Sequence, residues 1–432
     1  MRILTADWVV PVEGDPIADG AVAIGDDGLI AAVGTREELG EGEHFAEAVI
    51  LPGFVNAHSH LEYAAYAGFG DGLPFGPWIA LHVERKSRID LADMEAIARL
   101  GALECLRSGI TTVGDCSFSG AAATACAELG LGAIVYLEVF GADASPIHER
   151  FEPMRGRIQG ALSDRVRLGI SPHAPYTCTV DLYCASTELG LRVATHLAES
   201  EAETEFLRTG SGSWRDFAEL LVPPPATTGI RMLADAGLLG PHLLAAHCVQ
   251  ADAEEIDLLA THDVAVAHCP RSNALLGCGI APLTALRDAG VRVCIATDSP
   301  ASTPSFDMFD EMRAAIAGAR ARERRPDALT ASDALELATL GGARALGMAT
   351  ETGSLAAGKR ADVTVLSLAG TPFVPWEDPV TATVLGGSPE RVVATLVSGE
   401  TRYEKGGKTW LDLIDDARSA RGRLLQHGGP RS

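Results

Sequence analysis

Pro52-Gly53-Phe54-Val55-Asn56-Ala57-His58-Ser59-His60 is an apolar run that ends in two histidines spaced two apart. On a β-strand, residues two apart share a face, so both imidazoles would converge on one spot at the strand's end. Taken alone, an H-x-H is more often two unrelated polar residues at a loop start. Its neighbours along the chain change that weighting. Apolar runs occupy residues 48–55, 109–113, 132–139, 166–170, 191–195, 242–246, 264–267 and 291–296. The fourth is followed by His173, the fifth by His196, the sixth by His247, the seventh by His268 and the eighth by Asp298. Six of the twelve histidines thus fall at the ends of expected strands, where chance would scatter them over helices and loops as well.

Helical patterns separate the runs. Asp90 is placed to cap a helix with an apolar face of Met94, Ile97, Ala98, Gly101 and Cys105, and Gly109 can end it. Asp252 and Glu255 have capping-box spacing ahead of Ile256 and Leu259. Eight strands alternating with helices predict an α/β fold, a (β/α)8 TIM barrel, whose functional groups sit at the strand C-termini. A doubly wound sheet is the competing layout, but no G-x-G-x-x-G or P-loop follows any strand.

The chain ends have a different texture. Residues 1–12 read as a strand, and residues 20–24 and 29–33 flank the hairpin signal Asp26-Asp27-Gly28. Residues 361–368, and the pair 392–398 and 401–403 around Gly399-Glu400, repeat that texture. A small β-sandwich domain assembled from both ends is expected. The division is 1–51 for its first part, 52–352 for the barrel, 353–407 for its second part and 408–432 for a tail. The tail starts as a helix, and fraying is expected there.

Composition narrows the function. The 432 residues include 35 Lys+Arg and 58 Asp+Glu, a net charge of −23, which argues against nucleic acid or an anionic membrane as partner. No apolar run approaches the roughly 18 residues a spanning helix needs, and residues 1–12 lack the pattern of a signal peptide. Nine cysteines without a C-x-x-C pair suggest neither disulfides nor a cysteine zinc site. A reduced, cytoplasmic enzyme acting on a small molecule is expected. A Gly-rich, apolar barrel surface would fit a homodimer.

Imidazole and carboxylate are ligands for a borderline divalent cation such as zinc, and an open coordination position makes the site catalytic. His58, His60, His196 and Asp298 would supply four contacts. Such an ion makes a water nucleophilic at neutral pH. Glu199, three residues after His196, can turn back over the barrel mouth as a proton donor or acceptor. Its bland alternative is a solvated acid opening a helix, because Glu201, Glu203 and Glu205 follow. For His247 and His268 the bland alternative is a buried, satisfied histidine. Only four lysines exist, Lys86, Lys359, Lys405 and Lys408, and none falls on a barrel strand. A lysine-bridged metal pair therefore loses weight, leaving Glu138 as the one carboxylate placed to bridge a second ion.

These motifs together resemble the amidohydrolase superfamily in its one-metal deaminase branch. The matching segments are the Pro52–His60 run, Ser171-Pro172-His173-Ala174-Pro175-Tyr176-Thr177, His196-Leu197-Ala198-Glu199, Ala246-His247-Cys248, His268-Cys269-Pro270-Arg271-Ser272-Asn273 and Thr297-Asp298-Ser299. Gly353-Ser354-Leu355 through Asp362 resembles the family's return into the β domain. The resemblance implies one divalent ion, with zinc first and iron or manganese as alternatives, held by His58, His60, His196 and Asp298. It implies that Asp298 takes the water's proton, that Glu199 protonates a ring nitrogen of the substrate and that His247 holds and polarises the hydroxide. His173 and Trp78 match positions that contact the nucleoside in relatives acting on 5′-substituted adenosines.

Within the branch, Leu61-Glu62, Leu73-Pro74-Phe75 before Trp78-Ile79, Tyr136-Leu137-Glu138-Val139 and Phe206-Leu207-Arg208-Thr209-Gly210 resemble the aminofutalosine deaminases of the alternative menaquinone route. Methylthioadenosine and S-adenosylhomocysteine deaminases usually carry an Arg near the position of Glu138. The alternatives are those enzymes, adenosine deaminases, guanine- or triazine-type aminohydrolases, and a catalytically silent binding protein on the same fold. Substrate contacts are expected from Glu62, Trp78, Glu138, Arg150, His173, Glu199 and His268. Phe75, Trp78 and Phe140 would form an aromatic wall, and Arg150, Arg155 or Arg208 would pair with a substrate carboxylate.

Overall fold

A computed structural model of the chain describes residues 1–214 and 221–426. Its strands are β1 (Arg2–Val9), β2 (Ile17–Ile24), β3 (Ile30–Thr35), β4 (Glu43–Pro52), β5 (Phe54–Ser59), β6 (Ile110–Ser117), β7 (Gly132–Val139), β8 (Val166–Pro172), β9 (Arg192–Leu197), β10 (Leu243–His247), β11 (Ala265–His268), β12 (Arg292–Ile295), β13 (Val363–Ser367), β14 (Val392–Val397) and β15 (Glu400–Glu404). They form two sheets.

Strands β5 to β12 lie side by side in chain order and every pair is parallel. Parallel strands covered on both faces read as continuous apolar runs, and all eight residues of β7 are buried. The sheet curls into a barrel. Between β12 and β5 the seam carries the Asp298 N–H to His58 carbonyl bond at 3.0 Å and a bridge from Ser59 to Asp298. Many small side chains fill the interior, among them Val55, Ala57, Ala194, Ala265 and Ala267, with Tyr136 the largest. Gly114 permits the close approach of β6 to β5, since a Cβ there would lie 2.2 Å from the Ala57 carbonyl oxygen.

The second sheet has the order β15-β14-β13-β4-β1-β2-β3. It joins both chain ends, and β1 and β4 are its parallel pair. The apolar run 48–55 is not one strand, as the sequence reading had it. It is split between β4 in this sheet and β5 in the barrel. Gly53 makes the break, and any Cβ there would collide with the Thr111 side chain at 2.1 Å.

The expected caps are present. Asp90 and Asp93 cap the helix Leu91–Arg107 reciprocally, and Asp252 with Glu255 does the same for Ala253–Thr261. The helical start expected of the tail is present over residues 411–425. They form the helix Leu411–Leu425, whose Ala417, Ala420 and Leu424 are buried. Arg423 pairs with Asp93, and Arg421 donates to the carbonyls of Ala65 and Ala67. The polar end of the tail, residues 427–432, where fraying is expected, lies outside the described residues. No helix among the described residues is long and apolar enough to cross a membrane.

Candidate active site

The C-terminal ends of the barrel strands bring four side chains together. The ligand atoms of His58, His60, His196 and Asp298 all lie within 4.8 Å of one another, and all four residues are buried. His58 Nε2 and His60 Nε2 are 3.6 and 3.5 Å from Asp298 Oδ1, and His60 Nε2 is 3.2 Å from His196 Nε2. Positive φ angles at His247 (75°) and Asp298 (60°) turn these side chains inward as the strands end.

The donor set fits a divalent ion. His58 Nε2 is buried with no hydrogen-bond partner among the described residues, an arrangement that costs free energy unless something binds there. The Nδ1–H of His196 donates to the His173 carbonyl at 2.9 Å, which leaves the Nε2 lone pair facing the cluster. Burial holds His196 down at about 4, and His60 also lies well below its usual value, so both imidazoles stay neutral and able to ligate. Burial opposes the charge on Asp298. The close contact with His58, the leading opposing cause, outweighs it and keeps the carboxyl well below its usual range. The hydroxyls of Ser272 and Ser302 donate to Asp298 Oδ2 at 2.6 and 2.8 Å, which leaves Oδ1 for the histidines.

Glu138, His173 and His196 also have ligand atoms within 4.8 Å of one another. That group and the first both need His196, whose Nδ1 is already committed to the His173 carbonyl. One remaining nitrogen cannot serve two ions.

Beside the cluster, His247 Nε2 lies 3.7 Å from Glu199 Oε2. Nδ1 of His247 donates to Asn273 Oδ1 at 2.9 Å, so the neutral ring presents its Nε2 lone pair to Glu199 and the cluster. Burial, with Asp298 and Glu203 adding to it, raises Glu199 well above the usual carboxyl range. Burial thus favours the proton-carrying form of Glu199 and the neutral form of His247. Glu203 braces the turn by accepting from the amides of Ala198 and Glu199 at 3.1 and 2.7 Å.

A cavity of about 560 Å³ opens over these groups. Of the residues expected to meet substrate, Trp78, Glu138, His173 and Glu199 line it. Three others, Glu62, Arg150 and His268, lie outside that lining. Glu62 is buried with its carboxylate accepting from Ser117 and from the amides of Ser119 and Ala121. It caps the helix Ala121–Leu129, whose own N-cap, Gly120, has no side chain to do so. Arg150 lies behind the wall, donating to the carbonyls of Glu138 and Phe118, its guanidinium 4.2 Å from the Phe118 ring centre. His268 is buried outside the cavity lining, its ring held at about 4 by burial. Arg155 pairs with Glu152 at the surface, and Arg208 lies on the outer helix Glu201–Thr209.

The sequence reading missed Lys86, Tyr63, Phe118 and Trp214, all of which line the cavity. Phe75, Trp78, Ile79, His82 and Lys86 share one face of the helix Phe75–Lys86 at spacings of three, four, seven and eleven. That stripe was the available signal.

Residues 49–402 match the profile of the amidohydrolase family. The chain belongs to the amidohydrolase family. This amidohydrolase is 33% identical to a 5-methylthioadenosine/S-adenosylhomocysteine deaminase of Moorella thermoacetica, over 95% of this chain and 96% of that one. Its fold superposes on an adenosine deaminase of Xanthomonas campestris with bound zinc, with a TM-score of 0.87, 27% identity and 98% coverage of each chain. It also superposes on the Helicobacter pylori aminofutalosine deaminase in complex with methylthio-coformycin. There the TM-score is 0.80 at 23% identity, covering 93% of this chain and 100% of that one, a likeness of fold.

Proposed function

We propose that the protein is a one-metal hydrolytic deaminase of 6-aminopurine nucleosides, and that its preferred substrate is 6-amino-6-deoxyfutalosine. The observation that carries the reaction class is the placement of Glu199 and His247, 3.7 Å apart, beside the cluster of His58, His60, His196 and Asp298. A divalent ion in that cluster supplies Lewis acidity and makes an attacking water nucleophilic at neutral pH. Asp298, whose carboxyl is held well below its usual range, accepts a proton from the water. Glu199 donates its proton to the ring nitrogen next to the amino-bearing carbon, which makes that carbon electrophilic. His247 holds the attacking oxygen through Nε2, its ring orientation set by Asn273. Water adds at C6, the proton that Asp298 took from it passes to the amino group, and as ammonia leaves the remaining proton on the added oxygen returns to Glu199, giving the 6-oxo purine.

The finer assignment rests on the walls. Phe75, Trp78, Phe118, Phe140 and Trp214 give the cavity extended aromatic surface for a base and for an aryl group on the 5′ side. A second reading, 5′-methylthioadenosine or S-adenosylhomocysteine as substrate, is favoured by the 33% identity to the Moorella enzyme. Comparison of kcat/KM for 6-amino-6-deoxyfutalosine, methylthioadenosine, S-adenosylhomocysteine and adenosine, read by ammonia release, tests both. The highest value for aminofutalosine is expected. Faster turnover of methylthioadenosine transfers the assignment to the second reading, and no turnover of any of the four removes the nucleoside reading.

A further inference from the structure

We infer that Lys86 and Glu138 form a donor–acceptor pair that holds the sugar hydroxyls of the substrate and so discriminates ribosyl from deoxyribosyl nucleosides. This rests on the nucleoside reading above.

Lys86 ends the helix Phe75–Lys86 and its side chain reaches the cavity. Its ammonium lies 3.8 Å from the ring centre of Phe118 and 4.7 Å from that of Tyr63. Among the described residues it makes no hydrogen bond and no ion pair. An ammonium in such a place has three donors and needs acceptors. Glu138 lies near the end of β7. It is 3% exposed and lines the same cavity, and its carboxylate accepts no hydrogen bond among the described residues. The two groups sense each other's charge. Burial lowers Lys86 to about 8, opposed first by Glu138, and burial raises Glu138 to about 7, opposed first by Lys86. They are nevertheless too far apart to form an ion pair, so a donor and an acceptor face one space without closing it.

The chemistry of that space selects its occupant. A carboxylate would satisfy Lys86 but repel Glu138, and a cation would do the reverse. A hydroxyl is neutral, accepts from an ammonium and donates to a carboxylate, and a vicinal diol does both at once. The remaining lining agrees with this orientation. Phe75, Trp78, Trp214 and Tyr176 form a chain of ring contacts, with Tyr176 close enough to Glu199 to sense its charge. A purine laid along that apolar side presents a ring nitrogen to Glu199 and turns its sugar toward Lys86 and Glu138.

The test compares adenosine with 2′,3′-dideoxyadenosine in the metal-loaded wild type and in K86M, K86R and E138Q. The corresponding products, inosine and 2′,3′-dideoxyinosine, are bound to each by calorimetry. The wild type is expected to favour the hydroxylated compound of each pair by about 10- to 100-fold, the worth of hydrogen bonds to charged groups. That ratio should fall toward one in K86M and in E138Q, while K86R should keep most of it. A wild type indifferent to the hydroxyls overturns the inference, as does a ratio that K86M leaves intact. An equal loss for both compounds in K86M also overturns it, by reducing Lys86 to a structural role. If the wild type neither binds nor deaminates any nucleoside, the nucleoside reading itself fails. If it handles both sugars alike, the sugar assignment alone fails.

Discussion

The backbone N–H of Asp298 donates to the carbonyl oxygen of His58 at 3.0 Å, so the last and first candidate metal ligands also close the barrel seam. Ligand geometry and barrel closure are therefore one constraint. An ion held there would hold the first and eighth strands together.

Protein purified without added metal is expected to carry one divalent ion per chain, measured by elemental analysis. Chelation should lower the melting temperature, because a ligand that binds only the folded state stabilises it by mass action. His196→Asn should lower occupancy. Two tightly held ions per chain would contradict the argument from the single free nitrogen of His196.

Glu199→Gln is expected to keep the metal and lose about a hundredfold or more in kcat, the usual contribution of a placed acid–base group. Near-normal kcat would mean that the proton travels by another route.

His247→Asn should likewise retain metal and lose turnover. Asn273→Ala should give a smaller loss of kcat, because it removes only the acceptor that fixes the His247 tautomer. Equal losses in the two variants would make Asn273 essential to the ring's placement. No loss in Asn273→Ala would show that the ring is oriented without it.

Glu203 makes stability depend on pH. Burial raises its carboxyl from the ordinary 4.5 to about 7, against the pull of the three amides it accepts from. The folded state therefore binds this proton more tightly than the unfolded chain. The corresponding stabilisation is full below about pH 4.5 and is lost as pH rises through 7. The melting temperature of the wild type relative to Glu203→Gln should decline between pH 5 and pH 8, by the equivalent of at most ~3 kcal/mol. A flat difference would place the Glu203 carboxyl near its ordinary value.

The barrel strands and the residues at their ends were legible because parallel strands covered on both faces leave unbroken apolar runs in the chain. The same rule hid the junction of β4 and β5, since Pro52 and Gly53 sit inside one such run. Glu62 lies two residues after His60, yet it serves a helix that begins near residue 121. Only the fold brings that unassisted Gly120 cap to it. Arg150 is hidden for a related reason, because the carbonyls that occupy it belong to Glu138 and Phe118 on two different strand ends. Lys86 stood in a readable helical stripe, but a lysine on a helix is ordinarily solvated, and only the rings of Tyr63 and Phe118 show that this one is not.

One residue, Gly53, separates β4 from β5, and β4 is paired to β13 up to Pro52. The terminal sheet is thus spliced rigidly into the strand that carries His58 and His60, with no linker to absorb a movement of one against the other. Such an attachment cannot behave as an exchangeable module. Denaturant should melt sheet and barrel in a single transition, and grafting a relative's barrel onto this sheet would disturb the first two ligands before any other part of the site.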